Sequence, residues 1–103
     1  RIKKGNCNLV IWSETAKIDL HQIFDYILQD SEYYAREVID KIIVEIEKLL
    51  DFPEMGRIVP ELENKKIREI IIYSYRIVYE ISENIEILAI IHAMQDFETK
   101  MNQ

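Results

Sequence analysis

Residues 52–81 read FPEMGRIVPELENKKIREIIIYSYRIVYEI, and in this stretch the hydrophobic pattern changes period. Pro53 cannot continue a helix, because it lacks the amide hydrogen and clashes with the preceding turn. The segment 53–66 holds both prolines, one of the two glycines and many charges, which reads as a surface loop. After it, short runs rich in isoleucine and tyrosine replace the longer helical stripes. Ile67–Tyr73 and Tyr75–Ile81 read as strands, and Ile85–Ala93 as a third.

The connection between the last two strands carries functional weight, because a one-residue slip turns every side chain to the other face. A three-residue loop, Ser82-Glu83-Asn84, pairs Ile81 with Ile85 and puts Asn84 in the left-handed position that asparagine tolerates. This register predicts that Tyr75, Ile77, Tyr79, Ile81, Ile85, Ile87, Ala89 and Ile91 share the face packed on the helices. Arg76, Val78, Glu80, Glu86, Leu88, Ile90 and His92 then share the other, a mixed face suited to a partner.

Upstream of Pro53 the period is helical. Ser13 reads as an N-cap for a helix over about Glu14–Gln29, with Ala16, Leu20, Ile23, Phe24, Ile27 and Leu28 as its stripe. Ser31 caps a second helix, about Glu32–Asp51, whose stripe runs from Ala35 and Val38 to Leu49 and Leu50. The short break between them makes an antiparallel hairpin. Asn8–Trp12 is a buried strand before the first helix, and the polar tail from Met94 ends in a short helix or frays. The order β-α-α-β-β-β predicts an α+β fold with a helical hairpin on one face of a small, mainly antiparallel, curved sheet. At 103 residues this is one domain, with a core over about 8–97 and mobile termini.

Composition excludes several classes. The net charge of −6 argues against a general electrostatic grip on nucleic acid, though not against a local basic patch. Cys7 has no partner for an internal disulfide, which suits a reducing cytoplasm. His21 and His92 lack metal-ligand spacing, so neither metal nor cofactor is expected. No membrane span or signal-peptide pattern is expected.

The motifs P-x-x-G-R-x-V-P-E (Pro53–Glu61), R-E-I (Arg68–Ile70), Y-R-I-V-Y (Tyr75–Tyr79) and a strand ending Ile90-Ile91-His92 follow one another in a fixed order. Together with the opening Ile11-Trp12-Ser13 and Ala16, this order resembles the RelE/ParE toxin superfamily of type II toxin–antitoxin systems, over about Leu9–Phe97. The resemblance implies a growth-inhibiting toxin, of the kind that stabilises plasmids, neutralised by a cognate antitoxin in a hetero-oligomer. Two branches are open. RelE-like members are ribosome-dependent mRNA endoribonucleases, whose chemistry needs a base, cations for the phosphate and an acid. ParE-like members inhibit DNA gyrase and need no ribonuclease site. The V-P-E loop and the His92-x-x-x-Asp96 pattern resemble the ParE branch, although Gln95 departs from the Arg that ParE-like chains often carry there. A non-enzymatic gyrase inhibitor is therefore favoured, with the ribonuclease or an inactive antitoxin-binding relative as alternatives.

If the chain cleaves RNA, the resemblance makes Arg76 and His92 the catalytic candidates. Arg57, Lys65, Lys66, Arg68, Tyr33 and Tyr34 are the binding candidates. Each also has a structural reading. Arg76 pairs with Glu69, Glu80 or Glu86; His92 is a hydrogen-bonded sheet histidine; Arg57 caps or pairs locally; Arg68 pairs with Glu80; Lys65-Lys66 is a solvated turn; Tyr33-Tyr34 packs at the hairpin. Glu61 and Glu63 are acids that could serve as a base or simply keep the loop soluble.

Overall fold

The computed structural model describes residues 7–102. The expected mobile start at residues 1–6 lies outside the described residues. The elements are β1 (Val10–Trp12), α1 (Glu14–Leu28), α2 (Glu32–Glu47), β2 (Arg57–Ile58), β3 (Ile67–Ile72), β4 (Tyr75–Ile81), β5 (Ile85–His92) and α3 (Phe97–Met101). They build the expected α+β fold around a five-stranded sheet of order β1-β5-β4-β3-β2. β1 runs parallel to β5, and every other pairing is antiparallel.

Both predicted helix caps form. Ser13 Oγ accepts the amide of Ala16 at 3.1 Å, and Ser31 Oγ accepts that of Tyr34 at 3.1 Å, satisfying donors that the first turn leaves unpaired. α2 ends at Glu47, and its last predicted turn tightens into a 3-10 turn, Lys48–Leu50. Leu28 sits at the end of its stripe and is 40% exposed, so the buried face of α1 stops at Ile27.

The loop after Pro53 is more ordered than its composition suggests. It contains a 3-10 turn, Pro53–Met55, and the short edge strand β2, and Pro53 and Val59 are buried. Tyr79 pins it: the buried phenol donates to the Pro53 carbonyl at 2.7 Å and accepts the Gly56 amide at 3.0 Å. Gly56 is there because a Cβ would lie 2.5 Å from the Glu69 carbonyl oxygen and 2.6 Å from the Tyr79 hydroxyl.

The Ser82–Asn84 loop pairs Ile81 with Ile85 as expected, but Asn84 is not left-handed, the loop being closed by the Ser82 amide on the Asn84 carbonyl at 2.9 Å, and the register then shifts. Tyr79 opposes Ile87 and Val78 opposes Ala89, leaving Leu88 as the extra residue of a β-bulge. From Ala89 onward the face assignment is therefore the reverse of the sequence expectation. Ile90 joins Ile77, Tyr79, Ile85 and Ile87 beneath Ala16, Val38, Ile42, Ile46 and Leu49 of the helical side. Ala89 and Ile91 instead face away from the helices, in a second core with Val59, Val78 and Phe97. The tail supplies the lid of that second core, through α3.

Candidate functional site

The face away from the helices gathers the charged residues of the sequence motifs. Glu69 on β3 is 1% exposed and would be costly to bury alone as an anion. Its neighbours answer that cost. β2 sets Arg57 opposite Glu69, and the Arg57 Nε donates to Glu69 Oε2 at 2.5 Å. From β4, Arg76 Nε donates to Glu69 Oε1 at 2.6 Å. The other two nitrogens of Arg76 grip Glu61, Nη1 at 3.1 Å and Nη2 at 2.8 Å. The guanidinium also lies 4.8 Å from the centre of the Phe97 ring, a cation–π geometry.

Two arginines and two carboxylates thus balance within one network. The Arg76 hydrogen bonds hold the Glu61 carboxyl below the ordinary range, against a smaller opposing effect of burial. Glu61, followed by Glu69, raises the Arg76 guanidinium further above its already high value. Of the three acids offered as partners for Arg76, only Glu69 meets it, and Glu61 joins from the loop.

Arg68 does not pair with Glu80. It donates to the carbonyls of Lys65 at 3.2 Å, Glu54 at 3.4 Å and Gly56 at 3.0 Å, stitching the loop to β3. Lys65 and Lys66 are exposed in the turn before β3. Tyr33 and Tyr34 are 73% and 60% exposed at the start of α2.

His92 is not on the face of Arg76. Arg76 opposes Ile91 across the β4–β5 ladder, while His92 opposes Tyr75 and turns toward the helical side. The two rings meet edge to face, centres 5.4 Å apart at 87°. His92 Nδ1 accepts the Met94 amide at 3.1 Å, and the His92 amide donates to Gln95 Oε1 at 2.9 Å. Tyr75 and His92 line a cavity of about 390 Å³ with Gln22, Tyr26, Met94 and Gln95. Burial, and secondarily Tyr26, pushes the Tyr75 phenol up. The β2–β3–β4 pairing thus brings Arg57, Glu69 and Arg76 together, and the bulge in β5 separates His92 from them.

Sequence reasoning passed over three residues. Asp19 is 4% exposed; its Oδ2 accepts the Ile90 amide at 2.9 Å and its Oδ1 pairs with Lys100. The signal was an acid on the apolar side of α1, between Ala16 and Leu20. Glu69 is one of several acids within reach of Arg76 in the sequence, and its signal is its place between Ile67 and the apolar run Ile70–Ile72. Phe97 had no signal within a polar tail. Burial raises the Cys7 thiol above its ordinary value, and the residue is held by its amide on the Leu50 carbonyl at 3.0 Å and its Sγ near the Ser82 carbonyl at 3.4 Å. Among the described residues no group of His, Cys, Asp or Glu is arranged to hold a metal ion, and no helix is long and apolar enough to cross a membrane.

The family model of the ParE toxin of type II toxin–antitoxin system, parDE, matches residues 10–97. No curated protein matches the sequence. A solved structure of the chromosomal ParDE TA system from P. aeruginosa matches with a TM-score of 0.68 at 21% identity, over 84% of this chain and 95% of that one. At that identity the likeness speaks for the fold.

Proposed function

Because the chain belongs to the ParE toxin family of type II toxin–antitoxin systems, we propose that it arrests growth by inhibiting DNA gyrase, with no enzymatic step of its own, until a cognate antitoxin neutralises it. The observation that carries the non-enzymatic reading is the commitment of Arg76. Three of its nitrogens are bound to Glu61 and Glu69. A guanidinium so neutralised offers little charge to a scissile phosphate. The other catalytic candidate, His92, faces the opposite side of the sheet, so no single RNA phosphate reaches both. The acidic balance of −6 also opposes docking on ribosomal RNA. The family residues Pro53, Gly56, Arg57, Glu61, Glu69, Arg76 and Tyr79 serve instead as one structural unit that holds the loop on the sheet. Under this reading the exposed Lys65 and Lys66 before β3, and Tyr33 and Tyr34 at the start of α2, are the binding candidates that lie outside that unit, to which Arg57 belongs.

The test is induced expression in a bacterium, with growth, DNA breaks and mRNA integrity followed together, and gyrase supercoiling measured with the purified toxin. Growth arrest with DNA breaks, intact mRNA and blocked supercoiling is the expected result. Early mRNA cleavage on translating ribosomes, lost in His92→Ala, would replace this reading with the ribonuclease. Undisturbed growth with folded protein would leave an inactive antitoxin-binding relative.

A further inference from the structure

Five of the six tyrosines gather at one end of the molecule. Tyr26 closes α1, Tyr33 and Tyr34 open α2 beside it, and Tyr73 and Tyr75 flank the β3–β4 turn. Tyr26 and Tyr75 meet at the same cavity, with His92. Tyr26, Tyr33, Tyr34 and Tyr73 are 72%, 73%, 60% and 57% exposed, and Met94 on the cavity rim is 86% exposed. Tyr73 has a φ of 54°, a left-handed conformation that a bulky side chain rarely adopts and that the turn imposes on it. So much exposed aromatic surface at one end marks an interaction site rather than scattered surface residues.

We propose that the cavity between Tyr26, Tyr75 and His92 is a guanidinium pocket that takes an arginine side chain from a cationic segment of the antitoxin. The proposal rests on the toxin–antitoxin reading for its partner, but not for the cavity. Charge complementarity selects the occupant. The chain carries −6 overall. At this end, neither Asp25 nor Asp30 has a cation within 4 Å among the described residues, while Glu32 is already paired with Arg36. The cation lining the cavity, Lys100, is bound to Asp19, so the two cancel. A segment that covers the exposed tyrosines therefore meets uncompensated negative charge, and a cationic one is favoured.

The walls select arginine over lysine. A guanidinium is flat, weakly hydrated and stacks on aromatic faces, whereas an ammonium is compact and keeps its water. Tyr26 and Tyr75 put aromatic rings in the lining, and Gln22 supplies an amide able to accept a guanidinium hydrogen. Gln95 already accepts the His92 amide and so stays fixed at the rim.

Titration of N-acetyl-arginine amide into the isotope-labelled toxin, followed by NMR, tests the cavity. The expected result is shifts confined to Gln22, Tyr26, Tyr75, His92 and Gln95, with much smaller ones from N-acetyl-lysine amide. No shifts there, or equal ones from lysine, overturns the pocket. Calorimetry with the cognate antitoxin tests the partner. Tyr26→Ala should weaken binding roughly tenfold, and Tyr26→Phe much less. The melting temperature should hold, since Tyr26 is 72% exposed. Asp25→Lys with Asp30→Lys should weaken binding further at low salt. Equal affinity of wild type and Tyr26→Ala overturns the proposal. A wild-type chain that binds no antitoxin removes the toxin–antitoxin reading and the partner with it, and the arginine titration still decides the cavity.

Discussion

Glu69 shows how a single buried charge organises its surroundings. Its carboxylate has no solvent of its own, and two arginines replace the water it lost. Removing one partner should therefore cost more than a surface pair does. Arg76→Ala is expected to destabilise the fold by about 3 kcal/mol, because Glu69 keeps only the exposed Arg57 and Phe97 loses its cation. Arg76→Lys should recover part of that loss, since it keeps charge but cannot span Glu69 and Glu61 together. Urea denaturation of both variants gives the comparison. If Arg76→Ala melts like wild type yet abolishes toxicity, the residue acts on a target and not on the fold. Glu61 makes the network sensitive to acid. Its folded pKa is lowered by Arg76. Its contribution is thus present above the unfolded value, about 4.3, and fades as pH falls through the lower folded value. Glu61→Gln should be slightly less stable than wild type near neutrality, by under about 1 kcal/mol, and the gap should close in acid. A gap that widens in acid would contradict the ion pair. Gly56→Ala should cost several times more than an ordinary surface change, because its Cβ meets a backbone carbonyl that cannot move aside. Unchanged stability in that variant would mean that the loop can lift from β3.

At the scale of elements, the bulge at Leu88 decides what the two sides of the sheet can do. The two long helices, their caps and strands β1 and β3–β5 were legible in the sequence, because Ser13 and Ser31 precede clear apolar stripes and Pro53 stops the second one; β2 was hidden in the loop, and β1 is an edge strand with Ile11 exposed rather than the buried strand expected. The length of the hairpin loop was legible as well, from Ile81 and Ile85, whereas the left-handed backbone expected at Asn84 does not form. The bulge was not, for a physical reason. Leu88, Ala89, Ile90 and Ile91 are all apolar, so either phase buries a hydrophobic residue on each face, and period-two patterning loses its information there. The candidate site divided along this line: Arg57, Glu69 and Arg76 converge as neighbours, while His92 is carried to the other face. Beyond β1, the β5 edge is closed by side chains. Asp19 takes the Ile90 amide and Lys100 from α3, so α1, β5 and α3 meet at one carboxylate. Asp19→Ala should therefore cost about 2 kcal/mol or more through the stranded Ile90 amide and the loss of the Lys100 pair. A double-mutant cycle with Lys100→Met measures the coupling. A coupling near zero would mean that Phe97 alone holds α3 in place.

Across the whole molecule, charge and aromatic surface are distributed unevenly. The arginine–carboxylate network is internally balanced, so it adds little to the outer field. The excess of acid over base is left to the rest of the surface, including the tyrosine-bearing end with Asp25 and Asp30. An antitoxin that approaches this chain is steered by attraction only if it presents cations. The association rate should then fall steeply as salt rises from about 0.01 M to 1 M, over which the screening length shrinks from about 30 Å to 3 Å. The dissociation rate should change much less, because apolar and aromatic burial governs it once the complex has formed. Stopped-flow mixing of toxin and antitoxin across that range separates the two. An association rate indifferent to salt would assign recognition to apolar contacts alone. One that rises with salt would mean an acidic antitoxin, whose repulsion from this chain the salt screens.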